Sequence, residues 1–197
     1  MCIRDSYRIV MIKSKKKLIF LFIIISICSY LILSYSIKFY FSESTNFKLS
    51  EPDELSNLSK IEFNDSDGVN YIISDFRGKM ILMNLWATWC LPCRVEMPSL
   101  DNLQKEIGDK NFQVVIVAVE RTAYSEIDKF LKEIAIENLK NYHDPTTMLG
   151  QHINAKGLPV TLLINKKGKE IGRFDGPLEW DSKEVIDYLT KLKELNN

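Results

Sequence analysis

Two cysteines separated by two residues are the feature of this sequence best suited to chemistry. Cys90 and Cys93 lie in the run Trp89-Cys90-Leu91-Pro92-Cys93. A pair at this spacing can exchange disulfides with another protein, or it can supply two ligands to a metal ion. A bridge between the two cysteines would close almost no loop, so it would add little as a structural staple. The spacing therefore predicts redox chemistry or metal binding.

Two metal-based interpretations compete with redox chemistry. Covalent haem attachment requires a His directly after the second Cys, where this chain has Arg94. A structural zinc site needs two more ligands, and the part of the chain after the apolar N-terminal run offers only His143 and His152, both far from the pair in sequence. The sequence excludes the haem site and disfavours the zinc site. We therefore expect no metal and no cofactor.

The elements around the pair predict which cysteine attacks. Met80–Trp86 is a nearly unbroken apolar run, as expected of a central strand buried on both faces, and a helix follows from about Cys90 to Ile107. The sulfur of Cys90 would lie against the free N–H groups of the first helical turn, which stabilise a thiolate together with the helix dipole. Cys90 is therefore the predicted nucleophile, and Cys93, one turn later and facing inward, resolves the mixed disulfide.

Other patterns predict alternating strands and helices, in the order βαβα followed by ββα. Pro98 should kink the cysteine-bearing helix because its ring removes a main-chain hydrogen bond. The last helix should open with Asp181 as N-cap and Glu184 three residues later. The remaining predicted elements are a hairpin of residues 61–63 and 71–73, a strand over 114–119, an amphipathic helix over 127–134, and a hairpin of residues 160–164 and 170–174.

The N-terminal part of the chain differs in composition from the rest. Residues 1–41 carry seven Lys or Arg and one acid. The remaining residues, 42–197, therefore have a net charge of −6. An acidic domain has no basic surface for binding nucleic acid, so this class of partner is excluded. Residues 18–37 are uncharged and long enough to cross a hydrocarbon core of about 30 Å. The lysines just before them should stay cytoplasmic and export the C-terminal domain. A cleaved signal peptide is the alternative, but bulky residues follow the apolar run.

These features predict four regions: a basic cytoplasmic N-terminus over residues 1–17, a transmembrane anchor over 18–37, a flexible polar tether over 38–60 and a globular domain over 61–197. Cys2 and Cys28 lie in the first two regions, and Cys28 is expected to be an ordinary membrane cysteine. Met11, just before the lysines, is an alternative start to Met1. Cys90 and Cys93 are then the only cysteines of the exported domain.

Residues 84–98 (NLWATWCLPCRVEMP) and 157–161 (GLPVT) together resemble the TlpA/ResA branch of the thioredoxin superfamily, and residues 176–182 (GPLEWDS) look especially like TlpA. The resemblance covers about residues 61–197. It implies a thioredoxin-like α/β fold with a central mixed sheet flanked by helices, to which the residues themselves add the N-terminal hairpin and one preceding transmembrane helix. It also implies a cis peptide at Pro159, facing the cysteines and completing the groove for a partner's extended chain.

The resemblance also directs attention to residues near the pair. Many thioredoxins have a buried Asp where this chain has Asn84, and an Asn cannot accept the proton of the resolving thiol. Glu96, three residues after Cys93 and beside it on the helix, is an active-site feature of the ResA-like branch. We expect Glu96 to tune or deprotonate the pair, with a solvated surface carboxylate as the alternative.

The expected substrate-binding residues are Trp89, which should cover the sulfurs and contact partners, together with Pro92, Leu158 and Pro159. Trp86 is expected in the core. Glu120 and Arg121 end a strand near the presumed catalytic edge, but a solvated turn explains them equally well, and they receive no role.

The sequence thus predicts a single-pass protein of the inner membrane whose periplasmic domain exchanges disulfides. The resemblance implies a reductant of apocytochrome c or of copper-site assembly proteins of cytochrome oxidase, itself reduced by a membrane protein of the DsbD/CcdA type. The direction of electron flow does not follow from the residues. Three alternatives stay open: a Sco-like copper metallochaperone using His143 or His152, a peroxiredoxin-type peroxidase, which would want Thr where Ala87 stands, and a non-catalytic binding module.

Overall fold

The computed structural model describes residues 24–29, 31, 49–52, 58 and 61–195. The chain divides into two compact units, residues 1–46 and 47–197. The described residues of the first unit are helical. Across the described ranges, no helix is both long enough and apolar enough to cross a membrane. The basic N-terminus predicted over 1–17, both candidate starts, Cys2 and most of the anchor predicted over 18–37 lie outside the described residues.

The described residues of the second unit form one mixed sheet of seven strands, four helices and a turn of 3-10 helix at Ile73–Phe76. The strands are β1 (Glu62–Asn64), β2 (Asn70–Ile72), β3 (Met80–Trp86), β4 (Phe112–Ala118), β5 (Asn141–His143), β6 (Val160–Ile164) and β7 (Glu170–Asp175). Their order in the sheet is β2-β1-β5-β4-β3-β6-β7. The helices are α1 (Leu91–Ile107), α2 (Tyr124–Glu133), α3 (Met148–His152) and α4 (Lys183–Leu195).

Strand β3 lies in the middle of the sheet and carries the cysteine-bearing helix. All seven of its residues are buried, as its unbroken apolar sequence predicts. It pairs in parallel with β4 and antiparallel with β6, so that Asn84 faces Ile116 on one side and Thr161 on the other. The predicted central mixed sheet is confirmed.

The sheet separates two hydrophobic cores. One contains α1, α4 and both active-site cysteines, and the other lies on the opposite face, under the N-terminal hairpin and α3. The hairpin is held by an aromatic cluster of Phe63, Tyr71, Phe76 and Tyr142, with ring centroids 5.0 to 6.4 Å apart. The Nζ of Lys140 lies 4.8 Å from the Tyr71 ring centroid and 3.0 Å from a carboxylate oxygen of Asp65, so the hairpin is also pinned by charge.

Part of the predicted tether is docked on the sheet. The main chain of Ser50 forms a bridge with Arg173 of β7, with N···O distances of 2.9 and 3.2 Å. Leu49 packs against the core that contains the cysteines, and it lies over Gly172, where a side chain would collide with it. Within the polar tether predicted over residues 38–60, Leu49 and Ser50 are thus bound to β7, through the contact with Gly172 and the main-chain bridge to Arg173.

Two further predictions need correction. Asp181 is not the N-cap of the last helix, because α4 begins at Lys183 and its first turn includes the bond from the Ile186 N–H to the Ser182 carbonyl. The Asp181 carboxylate instead accepts a hydrogen bond from the Asn102 side chain at 2.8 Å. The second correction concerns two elements that the sequence analysis missed, β5 and α3. Strand β5 pairs in parallel with β4 and so becomes the third parallel strand of the sheet, after β3 and β4.

Candidate active site

The two cysteines open α1 at the carboxyl end of β3. Cys90 is the N-cap of the helix, and its Sγ accepts a hydrogen bond from the Cys93 N–H at an N···S distance of 3.3 Å. Pro92 occupies the first turn, where its missing N–H has no intrahelical acceptor to lose. Cys90 and Cys93 are joined by a disulfide. Cys90 is 5% exposed and Cys93 is fully buried, so Cys90 is the sulfur that a partner can reach.

Glu96 lies in the same helix, three residues after Cys93, and it is fully buried. Its Oε1 accepts a hydrogen bond from the Asn84 side chain at 2.8 Å. Its Oε2 accepts two more, from the main-chain N–H of Leu178 at 3.1 Å and from the indole N–H of Trp180 at 2.9 Å. The solvated alternative for this side chain is therefore wrong.

The environment of Glu96 opposes its ionisation. Burial raises the pKa of the Glu96 carboxyl from 4.5 to about 7, and the bonds from Trp180, Asn84 and Leu178 offset only part of this rise. A carboxyl group that titrates near neutral pH can exchange a proton with a thiol without a large energetic step. Such a pKa is the property expected of a carboxyl group that accepts the proton of the Cys93 thiol.

Asn84 joins the site to the neighbouring strand. Its side-chain N–H₂ group donates to Glu96 and also to the Thr161 hydroxyl at 2.9 Å, and its buried Oδ1 has no hydrogen-bond partner among the residues that the structure describes. In this orientation Asn84 acts as a donor toward the carboxyl, consistent with the expectation that it cannot take the thiol proton. Thr161 lies two residues after Pro159, so the network spans β3, α1 and β6.

The segment between β7 and α4 forms hydrogen bonds to two residues of α1, Glu96 and Ser99. Glu96 holds Leu178 and Trp180, as described above, and Ser99 accepts a hydrogen bond from the main-chain N–H of Trp180 at 3.1 Å. Trp180 is fully buried. The role of this segment in closing the site over Glu96 could not be read from its sequence, because it has no regular secondary structure.

The expected substrate-binding residues surround the cysteines. The Leu158-Pro159 peptide is cis, as the resemblance implied. Leu158 packs against the core cluster that contains both cysteines. Trp89 and Leu91 are 70% and 68% exposed, which leaves a broad apolar surface beside Cys90. Trp86, by contrast, is fully buried in the core.

Glu120 touches the loop before Cys90 and was assigned no role from the sequence. It is only 3% exposed, so the solvated turn is wrong for this residue, although the neighbouring Arg121 is exposed. Its carboxylate accepts hydrogen bonds from the main-chain N–H of Thr88 at 2.7 Å and from the Thr88 hydroxyl at 2.8 Å. The sequence signal that could have identified Glu120 is its position just after β4, because the carboxyl end of this strand lies beside that of β3, where the cysteines follow.

Both histidines lie in a cleft that neither Cys90 nor Cys93 lines. This cleft, of about 490 Å³, lies between β1, β5 and α3 and is also lined by Phe63 and Asp144. The His143 Nε2 is 2.7 Å from the main-chain oxygen of Glu120. Within the part of the chain that the structure describes, no group of three or more His, Cys, Asp or Glu side chains is arranged to hold a metal ion.

Comparison with known proteins assigns the chain to a family. Residues 47–192, which include the whole sheet and both cysteines, match the Redoxin family. The chain belongs to the redoxin family. The thiol-disulfide oxidoreductase ResA of Bacillus thuringiensis is 29% identical over 136 residues, covering 65% of this chain and 72% of the relative. ResA of Bacillus subtilis is 27% identical over 140 residues, covering 71% and 76%.

Solved structures agree with this assignment. The exposed lipoprotein thioredoxin Etrx1 of Streptococcus pneumoniae is 28% identical to this redoxin with a TM-score of 0.56, covering 68% of this chain and 98% of that one. StoA of Bacillus subtilis, at 19% identity and a TM-score of 0.53, covers 70% and 96% and supports the fold alone. The predicted thioredoxin-like fold is confirmed. The closer likeness to TlpA stays a prediction.

This redoxin is therefore a thiol-disulfide oxidoreductase of the ResA type, with Cys90 and Cys93 as its CxxC active site. Cys93, Glu96 and Asn84 are all fully buried, and a hydrogen bond joins Asn84 to Glu96. Trp89 and Leu91 remain on the surface.

Proposed function

We propose that this redoxin is a reductant of protein disulfides, anchored in the inner membrane with its catalytic domain on the periplasmic side. The observation that carries the direction of electron flow is the burial of Glu96 beside the resolving Cys93. A carboxylate in a buried site repels a thiolate, so it disfavours the reduced, ionised pair relative to the disulfide. A pair whose disulfide is favoured gives up its electrons readily, which is the property of a reductant.

The proposed exchange proceeds in two displacements. The Cys90 thiolate attacks one sulfur of a substrate disulfide, forms a mixed disulfide and releases the other substrate sulfur as a thiolate. Cys93 then loses its proton to Glu96 and attacks the Cys90 sulfur, which releases the second substrate sulfur. Two electrons pass to the substrate, and the Cys90–Cys93 disulfide forms.

The proposed substrates are extended segments of other proteins that carry a disulfide, as in apocytochrome c or copper-site assembly proteins of cytochrome oxidase. Support for this class comes from the resemblance to the TlpA/ResA branch and from the exposed apolar side chains of Trp89 and Leu91, which suit a partner chain better than a small solute. A membrane protein of the DsbD/CcdA type would return the electrons.

The proposed anchor is residues 18–37, with the basic residues 1–17 on the cytoplasmic side. Its support is the length and uncharged character of that run and the lysines before it. Protease protection in right-side-out membrane vesicles tests the topology. Under the proposal, residues 61–195 are digested from outside and the N-terminal lysines are protected.

Trapping of mixed disulfides tests the exchange itself. The Cys93→Ala variant of the full chain should accumulate mixed disulfides at Cys90 in its native membrane, because no resolving thiol remains. The matched Cys90→Ala variant should trap few or none. Apocytochrome c or a copper-site protein among the trapped partners would support the substrate class, whereas trapping by Cys90→Ala alone would contradict the assignment of the nucleophile.

A further inference from the structure

Glu120 is a second buried carboxylate close to the active-site pair: it contacts the loop before Cys90, whereas Glu96 follows Cys93 in α1. Strand pairing brings it there, since the Val119 N–H continues the β3–β4 ladder by bonding the Trp86 carbonyl at 2.9 Å. Glu120 follows at once and meets Thr88 of the loop that leads to Cys90. The dithiol exchange described above makes no use of this side chain.

The contacts of Glu120 are those of an ionised carboxylate held by uncharged donors. Oε1 accepts from the Thr88 N–H, and Oε2 accepts from two hydroxyls, those of Thr88 at 2.8 Å and Thr122 at 2.9 Å. No salt bridge to Glu120 is found among the described residues. Its negative charge is thus screened by dipoles and not neutralised by a cation.

Thr88 is the first inner residue of a tight turn that ends at Cys90, in which the Cys90 N–H bonds the Ala87 carbonyl at 3.1 Å. Two residues span at most about 7 Å of backbone, so the carboxylate lies within about 10 Å of the Cys90 Cα. At this separation, in a partly buried setting, a unit charge changes the equilibrium of a second ionisable group by roughly tenfold. The position of Glu120 is therefore close enough to matter for the thiolate.

We propose that Glu120 is a positioning residue for the exchange reaction: it fixes the turn that carries Cys90, and its negative charge opposes ionisation of the Cys90 thiol. The proposal rests on the nucleophilic role of Cys90 and deepens the proposed reductant function. By making the thiolate less favourable, Glu120 shifts the pair toward the disulfide and strengthens it as a reductant. The CxxC pair thus has two buried carboxylates near it: Glu120, which contacts Thr88 in the loop before Cys90, and Glu96, which follows Cys93 in α1.

The other charged and titratable groups around Glu120 are few. His143 lies at the end of β5, with a ring nitrogen 2.7 Å from the Glu120 main-chain oxygen, and Asp144 is the next residue in the chain. Arg121 follows it in the chain and is exposed, and Tyr124 of α2 contacts the His143 ring. All of these groups are retained in the variants below, so their contributions are common to every comparison.

The decisive variant is Glu120→Gln in the reduced full chain. Gln can keep all three hydrogen bonds, because its carbonyl accepts from the Thr88 N–H and its amide donates to the two hydroxyls, which can turn. We expect the pH midpoint of Cys90 alkylation by iodoacetamide, followed by mass mapping, to fall by about one pH unit. The equilibrium with a glutathione couple should shift toward the reduced protein by up to about tenfold, which corresponds to about 30 mV.

Matched variants separate charge from geometry. Glu120→Asp keeps the charge but shortens the reach to Thr88, and its midpoint should stay near that of the wild type. Glu120→Ala loses both the charge and the bonds, and its midpoint should fall as it does in Glu120→Gln. Asp101→Asn removes another buried carboxylate, one that is eleven positions after Cys90 and about 16 Å along the helix, and should shift the midpoint less than Glu120→Gln does, because its charge is more distant and more strongly screened.

Either of two results would overturn the proposal. One is a Glu120→Gln or Glu120→Ala midpoint that coincides with the wild type, and the other is an equal shift in Glu120→Asp, which would make the effect geometric. Alkylation needs no protein substrate, so failure of the proposed substrate class leaves this test intact. Mass mapping of the label to Cys93 in place of Cys90 would instead contradict the proposed exchange mechanism.

Discussion

Glu96 is the residue at which most of the buried hydrogen bonds of the site meet. Three donors from β3 and from the segment before α4 converge on its carboxyl group, and no cation is among them. The donors hold the carboxylate in place, while desolvation raises its pKa to about 7. Glu96 is thus poised between two protonation states near neutral pH, and this balance should appear in the stability of the protein.

Stability of the disulfide form should depend on pH through Glu96. The unfolded chain has the ordinary pKa of 4.5 and the folded chain about 7, so between these values the folded state binds the proton more tightly. The stabilisation is complete at low pH and is lost as the pH rises through about 7. The free energy of unfolding of the wild type, minus that of Glu96→Gln, should fall by roughly 3 kcal/mol between pH 4 and pH 8.

Guanidinium chloride unfolding at several pH values measures this difference. Other titrating groups, such as Asp65 with its pKa lowered to about 2 by Lys140, are common to both proteins and cancel. A difference that stays constant across the pH range would show that Glu96 does not titrate with a raised pKa.

At the residue scale, the sequence identified the reactive residues but not the residues that surround and bury them. Spacing alone identifies Cys90 and Cys93, and helical periodicity places Glu96 beside Cys93. The burial of Glu96 could not be predicted, because Trp180 and Leu178 come from a segment 82 to 84 residues away in the chain. Glu120 was missed for the same reason: its partner Thr88 is 32 residues distant, and only the register of β3 with β4 brings them together.

At the scale of elements, the docked segment around Ser50 is the least expected part of the fold. Its contacts are the bridge to Arg173 and the close approach of Leu49 to Gly172, where an added Cβ would lie 2.9 Å from the Leu49 Cβ. Gly172 is thus a glycine because another side chain occupies its space. The attachment should be sensitive to a single methyl group.

Gly172→Ala should release the segment without harming the active site. The new Cβ must displace Leu49, and the bonds between Ser50 and Arg173 should break with it. We expect at least a tenfold loss of amide exchange protection at Ser50, which corresponds to about one net hydrogen bond. Gly150→Ala is the control, since the nearest atom to its Cβ is 4.0 Å away. Unchanged protection in Gly172→Ala would mean that Leu49 does not secure the segment.

The sequence predicted an element well where its hydrophobic pattern extended over many residues. The bounds of β3 and β6 agree with the sequence prediction, because long apolar runs leave few alternatives. Strand β5 has three residues and α3 has five, too short for either period to be visible. Asp181 fits the sequence signature of a cap, but the side chain of Asn102 on α1 engages its carboxylate. Tertiary contacts decide such cases, and a single sequence does not contain them.

At the scale of the whole molecule, the sheet insulates two cores from each other. Ile116 contributes to the core that holds the cysteines, whereas Ile81 and its cross-strand partner Ile164 contribute to the other. Each of the three side chains is at most 1% exposed. Packing changes on one face should therefore have little influence on the other.

Double-mutant cycles test this separation. Each of Ile81→Val, Ile116→Val and Ile164→Val should cost about 0.5 to 1.5 kcal/mol. The costs of Ile81→Val and Ile116→Val should add to within about 0.5 kcal/mol, because the two side chains lie in cores on opposite faces of the sheet. Ile81→Val with Ile164→Val, on the same face, should depart further from additivity. Stronger coupling between the opposite faces than within one face would contradict the two-core description.

The bridge at Ser50 also bears on how copies of the protein behave when crowded. An open sheet presents unpaired N–H and C=O groups along its edges, and these invite strand addition by neighbouring chains. Here β2 is only three residues long, and β7 carries the buried Arg173–Glu170 ion pair and is partly covered by Ser50. We therefore expect the bridge at Ser50 to limit strand addition at β7, so that proteolytic removal of residues 49–52 lowers the solubility of an otherwise intact domain.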